Sequence, residues 1–591
     1  MRAKAAKDGL TLRAIAGVNS VLLAFDLNDV LRPHCLGFSV ERTDMDTGKR
    51  RWLPNMLRFS SDICAAGPTT ARAPLQAFRW GDYTTGPGKH YAYRLVARSG
   101  TAADVIKEGT AAEKGGNIDG GVTVEVRTEN NAAPATAVFF NRGAAASKAY
   151  NDKFGTIDPG KDPAALTWLS RGLEEALLAF LAQATDREWG LHAVVYEFQK
   201  PNLLAALRAA KERGADVQVV YHARVKGAAE HAEDQHARQE HGAANSANDA
   251  DADDKTAVKN LAAIQEADLG KVLGDDLRPR RAPPPSAIMH DKYVVLLQGG
   301  EPVAVWTGST NWTEGGIYGQ LNVGHAVYEP AVAARYEQSF QLLRRDPSAG
   351  ETKSANAEIS SVPAGRAAIP LGVTPVFSPQ ANSAMIDRYA EICSRAKLLL
   401  VSAPFLLHPK IRAALEEPSD GALRYVMADK AGSFGTKGEV ELFNGVPGNV
   451  GVAATMLKTA LNDFQGKLLE GHESFHHAGV HVHSKIILAD PFGTDPILVT
   501  GSANFSQNST IVNDSNSLIV RGDSAVADIY ATEFMRMFQH YWFRYRQDSS
   551  RDAVGSPKPD SVLALKETDV WQAPYFEAGN TLCRDRLAFI G

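Results

Sequence analysis

The chain is short of cysteine, of long apolar runs and of surplus positive charge, and each shortage removes a class of function. Four cysteines occur among 591 residues (Cys35, Cys64, Cys393 and Cys583), none in a CxxC pair. That scatter offers neither a disulfide framework nor a cysteine zinc site. No stretch of about 18 apolar residues is present, so no membrane-spanning helix is expected. The first residues, MRAKAAKDGLTLRAIAG, are basic but lack the sustained apolar core of a secretory signal. A cytoplasmic location is the default expectation, and export by a machinery that reads no cleavable signal stays open. The formal net charge of −5 weighs mildly against a nucleic-acid partner without excluding a local basic groove. What is present, 44% hydrophobic and 22% charged residues, is the balance of a soluble globular protein. The length implies about three to four domain-sized units.

Residues 9 to about 127 read as strands. GLTLRAIAG, SVLLAFDLN, LGFSVERTDMDTGKRRWLPN, LQAFRWGDY, KHYAYRLVAR and GVTVEVRTE are β-rich runs separated by Gly, Asp and Asn turns. Six or seven short strands over this span predict a β-sandwich for residues 1–130. Their order and aromatic positions resemble a fibronectin type III-like module, which implies an add-on unit for positioning or for binding a partner not identified by the sequence. From about residue 134 the pattern alternates helix and strand. ALTWLSRGLEEALLAFLAQA reads as one amphipathic helix, LHAVVYEF as a strand, PNLLAALRAAKERGA as a helix and VQVVYHA as a strand. This predicts an α/β first half over 131–350, interrupted at 224–285 by a polar, acidic, Ala-rich insertion read as solvated or disordered. DPSAGETKSANAEISSVPAGR (346–366) reads as a linker, after which the α/β pattern restarts and fills 351–591. His325 and Cys393 lie in apolar contexts and are read as packed, and the aromatic run ADIYATEFMRMFQHYWFRYR as a packing helix.

The two α/β halves share a motif. The first carries IMHDKYVVLLQGGEPVAVWTGSTNWT and the second VHSKIILADPFGTDPILVTGSANFS. His290 lies 18 positions before Gly308 and 21 before Asn311, and His483 stands at the same distances from Gly501 and Asn504. Agreement of residue type and register in two copies is hard to obtain by chance. In a strand, residues i and i+2 share a face, so His290 projects with Lys292 and His483 with Lys485. The following strands can bring Ser309 and Asn311, or Ser502 and Asn504, alongside. Two halves face to face then gather two imidazoles, two ammonium groups and several neutral donors. Such a set suits a phosphodiester: lysine and asparagine hold the non-bridging oxygens, one histidine attacks phosphorus and the other protonates the leaving oxygen. No cofactor or metal is called for, because the lysines supply positive charge.

The paired HxK…GSxN motifs resemble the phospholipase D superfamily. Over roughly residues 134–590 the resemblance implies a two-lobed α/β fold, two α/β/α halves related by a pseudo-twofold repeat, behind the β-sandwich. It also implies a covalent phosphohistidine intermediate, and hydrolysis or transfer of phosphodiesters. By motif position it assigns catalysis to His290, Lys292, Asn311, His483, Lys485 and Asn504, with Ser309 and Ser502 in support. The first histidine takes the role of nucleophile and the second that of acid and base. The family pattern HxKxxxxD is complete in the second copy, ending at Asp490, whereas the first has Leu297 in that place. Family members also carry an acidic residue after GSxN that orients a catalytic histidine. The matching stretches here read GQLNVGHAV and VNDSNSLIV, leaving Asp514 or the amides of Gln320, Asn322 and Asn516 as candidates.

Three functions stay open at this point. The leading one is hydrolysis of glycerophospholipids to phosphatidic acid and a free head group, or transfer of the phosphatidyl group to an alcohol, with peripheral membrane contact. The second is a metal-independent nuclease acting on DNA or RNA with the same residues. The third is a non-catalytic scaffold on a degenerate fold. A histidine metal site is weighed and set aside. His481 and His483 alternate on one strand with His472, His476 and His477 upstream, and His231, His236 and His241 lie in the insertion. Nothing fixes the geometry of the insertion histidines, and Lys485 with the matching first copy needs no metal. Trp312 and Phe505, after the motif asparagines, are read as core or as cleft wall.

Overall fold

In a computed structural model of the chain, the described residues are 1–62, 67–131, 135–143, 148–155, 157, 159–224, 247–281, 287–429, 437–454, 481–549 and 564–591. His231, His236, His241, His472, His476, His477 and Cys64 lie outside them.

The N-terminal part carries nine strands: β1 (Arg2–Lys7), β2 (Leu10–Ala16), β3 (Val21–Leu27), β4 (Cys35–Asp44), β5 (Arg50–Trp52), β6 (Arg58–Phe59), β7 (Arg79–Asp82), β8 (His90–Ser99) and β9 (Val122–Arg127). Eight of them form two four-stranded sheets, β1-β2-β3-β7 and β5-β4-β8-β9. The alternation of VTVEVR in β9 puts Val122, Val124 and Val126 inward, where they meet Leu12, Phe25, Phe38 and Tyr93 in one core. One element here escaped the sequence reading, a helix over Ala102–Glu113, started by a reciprocal Thr101–Asp104 cap. The chain ends on this module. The short strand Ala564–Leu565 pairs with β6, and Trp571 stacks on Phe78.

The remainder holds two seven-stranded sheets. The first comprises β10 (Thr136–Phe140), β11 (Trp189–Val195), β12 (Asp216–His222), β13 (Leu277–Arg280), β14 (Lys292–Gln298), β15 (Glu301–Gly308) and β16 (Val323–Val327). The second comprises β17 (Gly372–Ser378), β18 (Leu398–Ala403), β19 (Leu423–Ala428), β20 (Asn449–Ala453), β21 (Ile486–Ala489), β22 (Ile497–Gly501) and β23 (Ser515–Arg521). Their orders, β10-β16-β15-β14-β11-β12-β13 and β17-β23-β22-β21-β18-β19-β20, match strand for strand. The senses match too, with β11, β12 and β13 parallel, as are β18, β19 and β20, and the other neighbours antiparallel. The motif repeat is thus a repeat of whole lobes. Each sheet buries an outer face under its own helices. The inner faces share one apolar cluster that includes the helix Pro330–Leu343 and the first two-thirds of the helix Ser524–Ser549. That long helix is the packing element its aromatic spacing predicts.

Three sequence expectations need correction. The stretch ALTWLSRGLEEALLAFLAQA is two helices, Pro163–Ser170 and Leu173–Leu181, because Arg171 and Gly172 adopt φ of 52° and 95°. The turn sets Arg171 against Glu533 at 2.5 Å, a buried pair that also receives Ser20 and Arg536. Within the insertion at 224–285, the described residues 247–281 hold a helix over Ala247–Glu266 and the sheet-edge strand β13. Its Asn260, fully buried, donates to the carbonyls of Tyr196 and His222 and accepts from the Phe198 amide. The proposed linker contains a helix over Ala349–Ile359 with a reciprocal Ser348–Glu351 cap, the S-x-x-E signature in DPSAGE. His325, Cys393, Trp312 and Phe505 are all core. Among the described residues, no helix is long and apolar enough to cross a membrane.

Candidate active site

Each motif occupies the turn-in to a central strand and the turn-out of its neighbour. His290 and Lys292 stand at the start of β14, His483 and Lys485 just before β21, and GSxN closes β15 and β22. The motif glycines are required by close approach. Gly308 and Gly501 have φ of +151° and +126°, and an added Cβ would lie 2.3 Å from the Val323 carbonyl and 2.5 Å from that of Asn516. The serines after them lock the next strand: Ser309 Oγ accepts from the Val323 amide at 3.1 Å, and Ser502 Oγ from the Asn516 amide at 2.9 Å.

The lobes are stitched together through these segments. The His290 amide donates to the Asp514 carbonyl (2.7 Å) and the Asp514 amide to that of Ile288 (3.1 Å). The mirror pair is the Leu321 amide to the His481 carbonyl (2.8 Å) and the His483 amide to that of Leu321 (3.2 Å). Each HxK segment is therefore held by the loop after the other lobe's GSxN. The two sets converge: both imidazoles are 5% exposed, Lys292 is 1% and Lys485 is 0%. Lys292 Nζ donates to the His290 carbonyl at 2.6 Å and Lys485 Nζ to the His483 carbonyl at 2.7 Å. Such bonds aim both ammonium groups without using any acidic side chain.

Burial and mutual repulsion dominate the electrostatics. Desolvation, Lys292 and Lys485 push both histidines well below the usual imidazole range. Burial also lowers Lys292, to about 7, and Lys485 further because Lys292 is near it. Asn311 Oδ1 and Asn504 Oδ1 are buried without a partner among the described residues. An arriving anion would relieve this crowding of cations.

The supporting residues divide. Asn322 is the group that meets a histidine: its Oδ1 lies 2.9 Å from His483 Nδ1 and also accepts from Ser309. Gln320 lends its backbone carbonyl to Asn141. Asn516 meets neither motif histidine among the described residues and donates through Nδ2 to Asp291 at 2.6 Å. Asp514 is also not an orienting acid, since both its oxygens bind Arg280. Asp490 shapes the turn after β21, adopting φ of 51° and accepting the amides of Lys397 and Leu398. Leu297 is instead 5% exposed in the central core, and Gly299 and Gly300 make its turn.

Three residues escaped the sequence reading. Tyr196 lies tilted against His290, 5.2 Å between rings, and Lys292 Nζ lies over its ring at 5.1 Å. Glu197 is half-buried beside Asn311 and both lysines; burial raises its carboxyl and the lysines oppose that. Asp291, between His290 and Lys292, is pushed up to about 7 by burial, against the Asn516 bond. The signal for the first two was VYEF, whose β11 places them across from the motif strand; a glutamate at the end of a buried strand was the clue. Among the described residues, no group of three or more metal-binding side chains exists.

Residues 177–344, spanning most of the first lobe, match the family model described as cardiolipin synthase, PLD-like domain. Over these residues the chain resembles the phospholipase D superfamily. Similar solved structures include a phosphatidylserine synthase from Haemophilus influenzae Rd KW20 (13% identity, covering 63% of this chain and 85% of that one, TM-score 0.38). A phospholipase D family member, Nuc, from Salmonella typhimurium shares 21% identity over 29% of this chain and 87% of that one, with a TM-score of 0.20. The polyphosphate kinase from Porphyromonas gingivalis shares 11% identity over 58% of this chain, with a TM-score of 0.34, and the chain spans 42% of that kinase. No curated protein matches the chain. The matched segment carries the first HxK set, and the matching strand order of the second lobe carries the other.

Proposed function

We propose that this phospholipase D superfamily protein is a phosphodiesterase whose site is built jointly by its two lobes. We infer that it cleaves glycerophospholipids through a phosphohistidine. The observation that carries the reading is the convergence of two buried His–Lys–Asn sets whose charges are frustrated until an anion arrives. Lys292, Lys485, Asn311 and Asn504 hold the non-bridging oxygens, whose charge must be stabilised as phosphorus becomes five-coordinate. One imidazole attacks phosphorus, the leaving oxygen takes a proton from the other, and water or an alcohol then releases the phosphoryl group. The match to a cardiolipin synthase-type model and the net charge of −5 support a lipid over a nucleic-acid substrate. The fibronectin type III-like reading of the N-terminal sheets casts them as a positioning unit, and their docking to Glu533 through Ser20 supports it.

The test is turnover of fluorescent phospholipid vesicles, of plasmid and of single-stranded DNA by wild type and His483→Ala, all with EDTA present. Lipid turnover that disappears in the variant supports the proposal. Cleavage of DNA alone would replace the lipid by a nucleic acid, and no turnover of any phosphodiester would leave a scaffold.

A further inference from the structure

The two histidines are held unequally, and the inequality bears on which one bonds to phosphorus. The Asn322 carboxamide has one orientation: Nδ2 donates to the Gly316 carbonyl at 2.8 Å, and Oδ1 accepts from Ser309 Oγ at 2.8 Å. An amide oxygen only accepts, so His483 Nδ1, 2.9 Å away, carries the hydrogen. The neutral ring then presents its lone pair at Nε2, on the side where Lys485 Nζ stands 3.1 Å off. His483 is a fixed tautomer with its nucleophilic nitrogen in the cradle.

His290 has no such side-chain brace; its ring lies by the Ser502 backbone carbonyl, as that of His483 lies by the Ser309 carbonyl. The Nδ1 of His290 is buried without a hydrogen-bond partner among the described residues. The residue matching Asn322 by sheet register is Ser515, since Gly308 pairs with Gly324 as Gly501 pairs with Ser517. Ser515 turns its hydroxyl to the Ser509 carbonyl at 2.7 Å. The nearby carboxylates are committed elsewhere, Asp514 to Arg280 and Asp291 to Asn516 and Ser502.

We propose that His483 is the nucleophile and His290 the acid and base, with Asn322 as the positioning residue that sets the order. The proposal rests on the two-histidine reading above and reverses the order that the family resemblance suggests. A ring phosphorylated at Nε2 bears positive charge and needs an acceptor for its Nδ1–H; Asn322 Oδ1 provides one, and among the described residues no side chain does so for His290 Nδ1. The phosphohistidine keeps its charge for the lifetime of the intermediate, whereas the acid histidine gives its charge up as the leaving oxygen is protonated, so the extra side-chain acceptor matters most at the histidine that bonds phosphorus. The steps balance. The His483 Nε2 lone pair forms the N–P bond as the P–O bond to the leaving group breaks, and that oxygen takes the His290 proton. Water then attacks phosphorus and gives its proton to His290, and the N–P electrons return to Nε2.

The test uses the full chain with bis(p-nitrophenyl) phosphate, whose leaving group needs no protonation, and rapid quenching followed by alkaline digestion and mass spectrometry. Wild type should carry the phosphoryl group on His483. His290→Ala should still release about one p-nitrophenolate per enzyme in a burst and carry the adduct, whereas His483→Ala should give no burst. Asn322→Ala should slow the burst about 10- to 100-fold with an unchanged melting temperature, and Asn322→Asp should restore it. An adduct on His290, or a burst in His483→Ala but not in His290→Ala, would overturn the assignment. Steady turnover with no adduct on either histidine would instead sink the covalent two-histidine reading, and this assignment with it.

Discussion

The two lobes are copies in topology and differ in where they spend polar groups. Both sheets run in the same order, both motif glycines sit under a carbonyl of the next strand, and both lysines bond the carbonyl of their own histidine. Around that frame the first lobe substitutes carbon for oxygen at the turn after the motif strand, Leu297 against Asp490. It also supplies the amide that braces the other lobe's histidine, Asn322 against Ser515. A duplicated fold can therefore keep both halves of a site while only one half carries the restraints. The shared backbone frame places the reacting groups, and the differences in side chains assign their roles.

The largest effect should come from forcing the copies to match at the turn. Leu297→Asp completes HxKxxxxD in the first lobe on paper, yet position 297 is packed into the core that both sheets share. A carboxyl there has no amides to accept, so we expect a loss of about 3–5 kcal/mol of stability, from lost packing and an unpaired buried acid. Denaturant unfolding measures it, and a variant as stable as wild type would show that the two turns are interchangeable.

Next comes the brace itself. A hydrogen bond to a charged group contributes about 1.5–3 kcal/mol, equivalent to about 10- to 100-fold in rate. Asn322→Ala should lose that much in kcat on a phospholipid, and Ser515→Ala less than about twofold, since its hydroxyl serves Ser509. Equal losses in the two variants would mean that the lobes are restrained alike.

The pH profile sharpens the same contrast. Both imidazoles are pushed below the usual range by burial and the lysines, and the free enzyme needs one protonated and one neutral. The activity therefore falls on the alkaline side as the acid histidine loses its proton, and on the acidic side as the nucleophile gains one. kcat/KM should peak below pH 6.5, about the ordinary imidazole value, and drop about tenfold per unit above the upper pKa. A maximum at pH 8 would contradict the burial argument.

Much of this site was legible in the sequence because it is carried by spacing. The equal distances from His290 to Asn311 and from His483 to Asn504 reflect strand–turn–strand units of equal length, and the lobes followed from them. What was not legible came from pairings across the lobes. Nothing local distinguishes Asn322 from Gln320, Asn516 or Asp514 as the partner of a histidine; the choice is made by the Leu321–His481 and Leu321–His483 backbone bonds that bring it to His483. The break at Arg171 is likewise set from far away, by Glu533 some 360 positions on, through a turn that a helical periodicity reads straight across. The helix over Ala349–Ile359 is a different case, since its S-x-x-E cap was in view and the surrounding polarity masked it.

The smallest effect concerns Glu197, which has no acidic counterpart in the second lobe, where the strand β18 runs on into Pro404 and Phe405. Its carboxylate lies near Lys292 and Lys485 and helps both keep their protons, against burial that takes Lys292 down to about 7. Removing the charge has two opposed consequences. An incoming phosphodiester meets less repulsion, but Lys292 loses a partner and its pKa falls further, so fewer enzymes hold a charged lysine at neutral pH. The second should win above pH 7, where Lys292 is already half-titrated. Below about pH 5.5 it should vanish, because Lys292 then stays protonated with or without Glu197. Glu197→Gln should then match wild type within about twofold at pH 5 and fall several-fold behind at pH 7.5. A wild-type to variant ratio of kcat/KM that stays constant over that range would mean that Glu197 acts on substrate fit alone and does not govern the charge of the lysines.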